Sequence, residues 1–353
     1  MNDEFQRRMD EATRLMRSGS LMEATAAIQR ALGASPPAAP ANEAARHGED
    51  VIDVEARVVD IRPVDSGPEA RVRPESFTAG NFRNDCGARD YKLFEPARPD
   101  ARALPLIVML HGCTQDPDDF ARGTRMNALA RARGFLVLYP AQSQRANAQR
   151  CWNWFKHNHQ ARGKGEPGIL AGMVREVIDT RGVDPGRVYV AGLSAGGAMA
   201  AILGDAYPDL FAAVGVHSGL PTGSATDVQS AFTAMGGGVT APRRSPKAGA
   251  TPPTIVFHGD ADATVNVVNG ERVLAAAGVA PEPDVERGTS PFGQPYSRRV
   301  WVGGQGAERG EQWTIHGAGH AWSGGDLAGT YTDPRGPDAS AEMLRFFLAH
   351  PRA

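Results

Sequence analysis

The sequence predicts an α/β fold in which a mostly parallel sheet is covered by helices on both faces. Apolar, β-branched runs of strand length alternate with helical segments over most of the chain, as in sheets whose strands are joined by helical crossovers. The 353 residues suffice for a large core that needs neither a disulfide nor a metal. With 41% hydrophobic residues, and no apolar run approaching roughly 18 residues, the composition is that of a globular protein without a membrane span.

Six runs have the length and composition of buried strands: 104–110, 135–139, 187–191, 211–216, 254–258 and 296–302. Helical patterns occupy the segments 118–133, 166–181, 195–206, 269–277 and 338–348. Because buried strands separated by helices need crossover connections, we expect these strands to run parallel. Side chains that do chemistry should then lie at the carboxyl ends of the strands.

The first 75 residues differ in composition from the rest. Residues 1–33 contain two apolar periodicities of helical type with a Ser-Gly-Ser break between them, which predicts a short helical hairpin. Residues 34–75 are rich in Ala, Pro, Glu and Arg without a sustained period, which indicates a flexible linker. We therefore expect one main domain over 76–353, with a hairpin that either packs on it or docks to a surface or partner.

Charge and cysteine content exclude several classes of protein. A formal net charge of -2 gives no general attraction to nucleic acid or anionic lipid. The three cysteines are too few for a disulfide scaffold, and none forms the CxxC pair of a metal knuckle. The N-terminal residues mix acids and bases and lack the apolar core of a secretory signal, so we expect a cytoplasmic protein.

Ser194 lies in a G-x-S-x-G pentapeptide between a strand pattern and a helix pattern. The chain contains 41 glycines, so roughly 0.2 such matches would occur by chance, and the pentapeptide needs its context. The context is that of a sharp strand-to-helix turn that lifts a serine Oγ above the sheet, next to a helix N-terminus. We therefore predict that Ser194 is a nucleophile.

A serine nucleophile needs a base and an acid, which follow it in the order acid and then histidine on this kind of fold. The acid is either Asp260 or Asp262, which follow the strand pattern at 254–258, and geometry alone does not choose between them. The base is predicted to be His320, because the glycines before it leave it free to reach over the sheet, whereas His316 is expected to end a strand.

The oxyanion formed by attack needs backbone N–H donors. One is expected from Ala195, directly after the nucleophile, and the other from Cys113, in the tight turn after the strand at 104–110. His111 in that turn is expected to brace the loop without a catalytic role. No metal or organic cofactor is predicted: the H-x-H pair His157 and His159 lacks a third ligand nearby, and the two aspartates lack the acid series of a calcium loop.

A set of motifs resembles one known family. LHGCTQ, CWNWF with the downstream GEPGILAGMVREV, GLSAGG, HSGLP, HGDADATV and GAGHAWSGG occur in the order of the poly(3-hydroxybutyrate) depolymerase family of esterases, within the α/β-hydrolase superfamily. The resemblance covers 76–349. It implies the α/β-hydrolase fold and hydrolysis of polyesters of this type, or of their short oligomers, through an acyl-enzyme.

The resemblance also assigns individual residues. The positions that match the family's catalytic set are Ser194, Asp262 and His320, so it selects Asp262 over Asp260. A disulfide between Cys113 and Cys151 is implied, which would leave Cys86 free. Among the aromatic residues near the predicted site, Trp154 and Trp322 are candidates for an apolar trough that holds hydroxyacyl units, whereas Trp152 is at least as well explained by packing.

Two departures leave alternatives open. Family members that act on extracellular polymer usually carry a signal peptide and a granule-binding module. Neither is apparent here, so the cytoplasm stays the expected location, and the extracellular location of many family members is the alternative. The same triad would also serve a feruloyl or acetyl carbohydrate esterase. A hypothesis of another class is a non-catalytic granule-associated protein that docks through the hairpin at 1–33.

Overall fold

The computed structural model describes residues 72–99, 103–238, 251–279, 283–303 and 308–352. The predicted hairpin at 1–33, and the predicted linker except for its last four residues, lie outside the described residues. The described residues include a strand pair that reaches slightly before the predicted domain start at residue 76, since Val72–Arg73 pairs with Arg98–Pro99. No helix in the described ranges has the length and apolar character required to cross a membrane.

A ten-stranded sheet runs through the molecule in the order β10-β11-β12-β9-β8-β7-β5-β6-β3-β2. Its strands are β2 Ser76–Asn84, β3 Gly87–Glu95, β5 Leu104–Leu110, β6 Leu136–Pro140, β7 Val183–Leu193, β8 Ala213–His217, β9 Thr254–Gly259, β10 Asp284–Thr289, β11 Pro295–Val302 and β12 Glu308–Ile315. Two short pairs lie apart from it, β1 Val72–Arg73 with β4 Arg98–Pro99 and β13 Trp322–Ser323 with β14 Thr332–Asp333.

The centre of this sheet is parallel. Strands β12, β9, β8, β7, β5 and β6 pair in parallel, and an antiparallel strand pair extends the sheet at each end. All six parallel strands therefore end at one edge of the sheet, where their following loops meet. This confirms the predicted fold class, a mostly parallel sheet of the α/β-hydrolase type.

Helices cover both faces of the sheet. They are α1 Pro117–Thr124, α2 Met126–Arg133, α3 Gly165–Arg181, α4 Ala195–Ala206, α5 Val228–Met235, α6 Val268–Ala276 and α7 Ala339–Ala349. Alternate residues of a strand face opposite ways, so Val188 and Val190 belong to an apolar layer with residues of α3, α4, α5 and α6, while Tyr189 and Ala191 belong to the layer with residues of α1, α2 and α7. The sheet is thus covered by one apolar layer on each face.

Three local features differ from the sequence prediction. The single helix predicted over 118–133 is two helices, because Arg125 between them has a left-handed backbone with φ 54°. The strand at 296–302 is antiparallel and partly exposed, since it belongs to the extension of the sheet and not to its centre. Strands β2, β3 and β10 and helix α5 were not predicted, because their exposed faces dilute the apolar runs on which the assignment depended.

Candidate active site

Ser194 occupies a strained turn between β7 and α4. Its backbone angles are φ 57° and ψ -117°, a region that non-glycine residues rarely adopt. The turn is held because the Ser194 N–H donates to the His217 carbonyl at 2.9 Å, and because α4 starts at the next residue. The half-buried side chain is thus presented at the carboxyl edge of the sheet, next to the N-terminus of a helix.

The glycines that flank Ser194 allow neighbouring backbone segments to approach closely. A Cβ on Gly196 would lie 2.0 Å from the Leu110 carbonyl oxygen, and a Cβ on Gly192 would lie 2.4 Å from the Gly196 backbone. Any side chain at either position would push the turn away from β5. The glycines of the pentapeptide are therefore required by packing, which explains why the serine can sit at so sharp a bend.

Asp262 and His320 come together from the loops that follow β9 and β12. His320 Nδ1–H donates to Asp262 Oδ2 at 2.7 Å. The other carboxylate oxygen accepts from the N–H groups of Thr264 at 2.9 Å and Val265 at 2.8 Å. The carboxylate is held on both oxygens, and it fixes the His320 ring with Nε2 as the remaining nitrogen.

The surroundings of Asp262 keep it ionised. Burial by itself raises the pKa of this carboxyl, but the nearby rings of His258 and His320 and the hydrogen bond from the Val265 N–H outweigh burial and hold the pKa well below its usual range. One of these histidines is the fully buried His258, whose Nε2 lies 3.5 Å from Asp262 Oδ2 and 2.8 Å from the Val265 carbonyl oxygen. A permanently charged acid beside an imidazole favours the protonated form of that imidazole during a reaction.

Ser194 and the Asp262–His320 pair lie at the same corner of the sheet. Val265 donates its N–H to Asp262, and its side chain lines the cavity onto which Ser194 opens. The Ser194 N–H in turn binds the carbonyl of His217, whose ring stacks on that of Trp322, two residues beyond His320. Within the described residues no hydrogen bond joins the Ser194 hydroxyl to the His320 ring, and such contacts are often long before substrate binds.

A second aspartate–histidine pair lies nearby, at the residues that the sequence left as alternatives. His316 Nδ1 is 2.8 Å from Asp260 Oδ2, and His316 Nε2 is 2.8 Å from the hydroxyl of Ser297. Ser297 is on β11, where both neighbouring strands pair with it in the sheet, so no strained turn presents its hydroxyl. Since both ring nitrogens of His316 are engaged, this pair braces the start of the loop that carries His320.

His111 has a bracing role in the turn after β5. The buried His111 ring accepts a hydrogen bond at Nε2 from the Gln142 N–H and donates from Nδ1 to the Gly112 carbonyl. Burial lowers the pKa of His111 to about 4, so the ring is neutral at pH 7. Trp152 supports the same turn, because its Nε1–H donates to the His111 carbonyl at 3.1 Å.

The two residues predicted to donate to the oxyanion, Ala195 and Cys113, line the same cavity as Ser194. Neither the Ala195 N–H nor the Cys113 N–H takes part in a hydrogen bond within the described part of the chain, and Ala195 is the first residue of α4, where N–H groups have no partner inside the helix. Cys113 is joined to Cys151 by a disulfide, which ties the turn after β5 to the loop before Trp152. Cys86 is a free thiol.

An apolar cavity of about 190 Å³ opens beside Ser194. Its walls come from the disulfide, from residues 151–155 (the aromatic loop), from the start of α4 and from α5. The lining residues are Cys113, Cys151, Trp154, Phe155, Ser194, Ala195, Leu220, Val228, Ala231, Phe232, Met235 and Val265. Trp154 therefore lies where the sequence placed a substrate contact. The cavity can hold an apolar group next to the Ser194 hydroxyl.

Trp322 and Trp152 lie elsewhere. Trp322 is 1% exposed, its ring packs edge-on against Phe120, and its Nε1–H donates to the Ser340 hydroxyl. Trp152 is 0% exposed. Trp322 is thus a core residue and not the predicted wall of a trough, because its ring packs between Phe120 and His217. The described residues contain no cluster of three or more metal-ligating side chains.

Glu166 is a structural residue that the sequence analysis did not single out. Its side chain is fully buried, at the start of α3, and 3.0 Å from the Arg89 guanidinium. It accepts from the backbone N–H of Asn153 at 2.7 Å and from the Asn153 amide at 2.8 Å. It also accepts from the amide of Gln142. Glu166 therefore anchors the aromatic loop, which forms one wall of the cavity. The sequence feature that could have indicated this role is an acid in GEPG, in the first turn of an apolar helix.

The family was established by comparison with known proteins. A family model described as "Esterase PHB depolymerase" matches residues 89–277. The chain belongs to this family. The matched segment runs from β3 to the end of α6 and includes Ser194 and Asp262, whereas His320 lies beyond it.

Individual relatives agree with this family. The chain is 34% identical over 271 residues to "Poly(3-hydroxyalkanoate) depolymerase C" of Paucimonas lemoignei, covering 72% of this chain and 61% of that protein. It is 34% identical over 128 residues to "Feruloyl esterase B" of Thermothelomyces thermophilus, covering 36% of this chain and 43% of that protein. The chain thus spans less than two thirds of the length of these relatives.

A solved structure supports the fold. "Acetyl xylan esterase from Aspergillus awamori" superposes with a TM-score of 0.58 at 21% identity, covering 74% of this chain and 94% of the other. At that identity the likeness shows the α/β-hydrolase fold alone.

Proposed function

We propose that this protein is a serine esterase that hydrolyses poly(3-hydroxyalkanoate)-type polyesters or their short oligomers. The observation that carries the proposal is Ser194 in a strained turn, next to an apolar cavity and at the same corner as the Asp262–His320 pair. Membership of the esterase PHB depolymerase family supports it.

Each residue has a defined step. His320 Nε2 removes the Ser194 hydroxyl proton while Oγ attacks the ester carbonyl, and Asp262 stabilises the imidazolium through Nδ1–H. The protonated His320 then gives its proton to the departing alkoxide, which leaves as an alcohol. Water, activated by the same ring, attacks the acyl-enzyme and releases the acid. The proposal needs no metal or cofactor.

The tetrahedral oxyanion is stabilised by the N–H groups of Ala195 and Cys113. Removal of one such donor costs about 3 kcal/mol in the transition state. Because Cys113 is held by its disulfide and by the brace at His111, its N–H is kept in place before substrate binds.

The same disulfide bears on the compartment in which the protein works. A bridge between Cys113 and Cys151 favours an oxidising environment, in contrast to the cytoplasm expected from the N-terminal residues. We propose that the protein works where this bridge stays oxidised. Docking to a granule through 1–33 falls on residues outside the described ranges and stays a prediction, which deletion of 1–66 tests by measuring granule association.

The test compares two serines, each within a serine–histidine–aspartate set. Ser194→Ala should abolish hydrolysis of p-nitrophenyl butyrate, and Ser297→Ala, in the set with His316, should leave the rate within about twofold of wild type. Equal rates for wild type and Ser194→Ala would refute the esterase proposal and favour a non-catalytic role. Release of hydroxyacids from short oligomers, measured beside release of ferulate from its methyl ester, separates the polyesterase from a carbohydrate esterase.

A further inference from the structure

We propose that the cavity beside Ser194 is built for an aliphatic acyl group of about five or six carbons, so that esters with medium-length side chains are better substrates than 3-hydroxybutyrate esters or feruloyl esters. The inference rests on the proposed esterase function and concerns the size and polarity of the acyl group at that same site. It follows from the lining of the cavity, its volume, and the helix that forms its outer wall.

The lining offers almost nothing to a polar group. Apart from the Ser194 hydroxyl and the indole N–H of Trp154, the lining side chains are alkyl, phenyl or sulfur groups. A substrate hydroxyl that enters without a hydrogen-bond partner loses its water and gains nothing in return. The phenol of a feruloyl group, carried at the far end of its ring, would face this penalty deep in the cavity. Alkyl chains face none.

The volume sets the preferred size. A dry apolar cavity of about 150 Å³ is large enough to bind benzene. The cavity beside Ser194 measures about 190 Å³, about 40 Å³ more, which matches the larger volume that each saturated carbon of an alkyl chain occupies compared with a carbon of a flat ring. The methyl branch and short chain of a hydroxybutyryl group would leave much of this volume unfilled, whereas a hexanoyl chain would fill most of it. Each methylene that becomes buried contributes roughly fourfold to binding.

Helix α5 forms the outer wall and carries no charge. Its sequence, VQSAFTAM, starts with a capping box at Asp227, in which Ser230 returns the hydrogen bond. Ala231 is buried and lines the cavity, while Val228 and Phe232 line it and are 56% and 69% exposed. Ala231 is thus the point at which a larger side chain would shorten the cavity, and Val228 and Phe232 border its mouth.

The experiment measures kcat/KM for p-nitrophenyl acetate, butyrate, hexanoate and octanoate. Wild type should rise about fourfold per added methylene as far as hexanoate and then level off or fall. Ala231→Leu should move the optimum to acetate or butyrate, because the larger side chain shortens the cavity. Gln229→Leu, which adds the same side chain to the exposed side of α5, is the matched control and should keep the wild-type profile.

The outcomes separate the inference from the function on which it rests. Hydrolysis that survives Ser194→Ala overturns the esterase itself. If Ser194→Ala is inactive but the wild-type profile is flat or declines from acetate, the enzyme stands and the acyl-size inference is wrong. A second comparison does not depend on the folding of any variant: wild type should cleave methyl cinnamate at least tenfold faster than methyl ferulate, and equal rates would contradict the apolar lining.

Discussion

The buried carboxylate of Glu166 should stabilise the fold in a way that depends on its charge. We consider the change Glu166→Gln, which keeps the shape of the side chain. The variant places an amide NH₂ among donors from Asn153 and Gln142 and leaves the Arg89 guanidinium without its buried anion. Loss of one member of a buried ion pair is costly, because the remaining charge is neither solvated nor paired.

The size of the effect follows from the pKa of Glu166. Burial raises this pKa, but hydrogen bonds from three side chains and one backbone N–H more than compensate and lower it from 4.5 to about 2. A difference of that size corresponds to about 3 kcal/mol of stability. Since the pKa is lower in the folded state, the contribution is fully present above pH 4.5 and is lost as the pH falls from about 4.5 to about 2.

Urea unfolding of wild type and Glu166→Gln at pH 7 and near pH 2.5 measures this contribution. At pH 7 the variant should be less stable by about 3 kcal/mol, with a melting temperature roughly 6 to 12 °C lower. Near pH 2.5 most of the difference should disappear. Glu176→Gln, an exposed change on the same helix, is the control and should stay within about 0.5 kcal/mol of wild type.

Activity gives a second measure of the same residue. Because Glu166 holds Asn153, and thereby the loop with Trp154, Glu166→Gln should lower kcat/KM for p-nitrophenyl hexanoate by roughly 10- to 100-fold, well below the melting temperature. A stability difference that is the same at both pH values would refute the role of the charge. Unchanged stability at pH 7 would refute the whole argument.

Two further predictions concern the catalytic residues. Asp262→Asn should lower kcat on p-nitrophenyl butyrate by about 10⁴-fold, because an amide stabilises the wrong tautomer of His320. Asp260→Asn should lower kcat by less than about tenfold. Similar losses for the two variants would contradict the assignment of Asp262 as the acid. Removing the disulfide with the double change Cys113→Ala and Cys151→Ala should lower both kcat and the unfolding midpoint, while the control Cys86→Ala should change kcat little. A variant without the disulfide but with wild-type kcat would show that the turn after β5 holds the N–H of residue 113 in place without it.

The central strands and helices could be predicted from the sequence because each is a local pattern. The strand at 104–110 and the helix at 195–206 have the predicted bounds. The strand is an unbroken apolar run and the helix follows a glycine-rich turn, so in each the local pattern indicates which residues are buried. Helix α5 was missed because it is eight residues long and half exposed. Its capping box, from Asp227 to Ser230, was the local signal that would have located it.

Pairing between distant residues could not be predicted in the same way. Asp260 and Asp262 are two residues apart, and both follow β9, so only the arrangement of the loop after β12 decides which histidine each one meets. The same holds for Trp154 and Trp322, because in the sequence both are aromatic residues in loops near the predicted catalytic residues. Trp154 reaches the cavity because its loop is anchored to Glu166, and Trp322 turns into the core against Phe120.

By itself, the amino-acid sequence determined the alternation of strands and helices in the centre of the fold, the sharp turn at Ser194 and the kinds of residue needed for ester hydrolysis. These depend on backbone sterics and apolar periodicity within a few positions of the chain. Only the tertiary structure decided that Asp260 binds His316, which aromatic side chain borders the cavity, and that Glu166 supports the cavity wall. Those outcomes depend on how loops from separate strands pack at one edge of the sheet, where contacts join residues far apart in the chain.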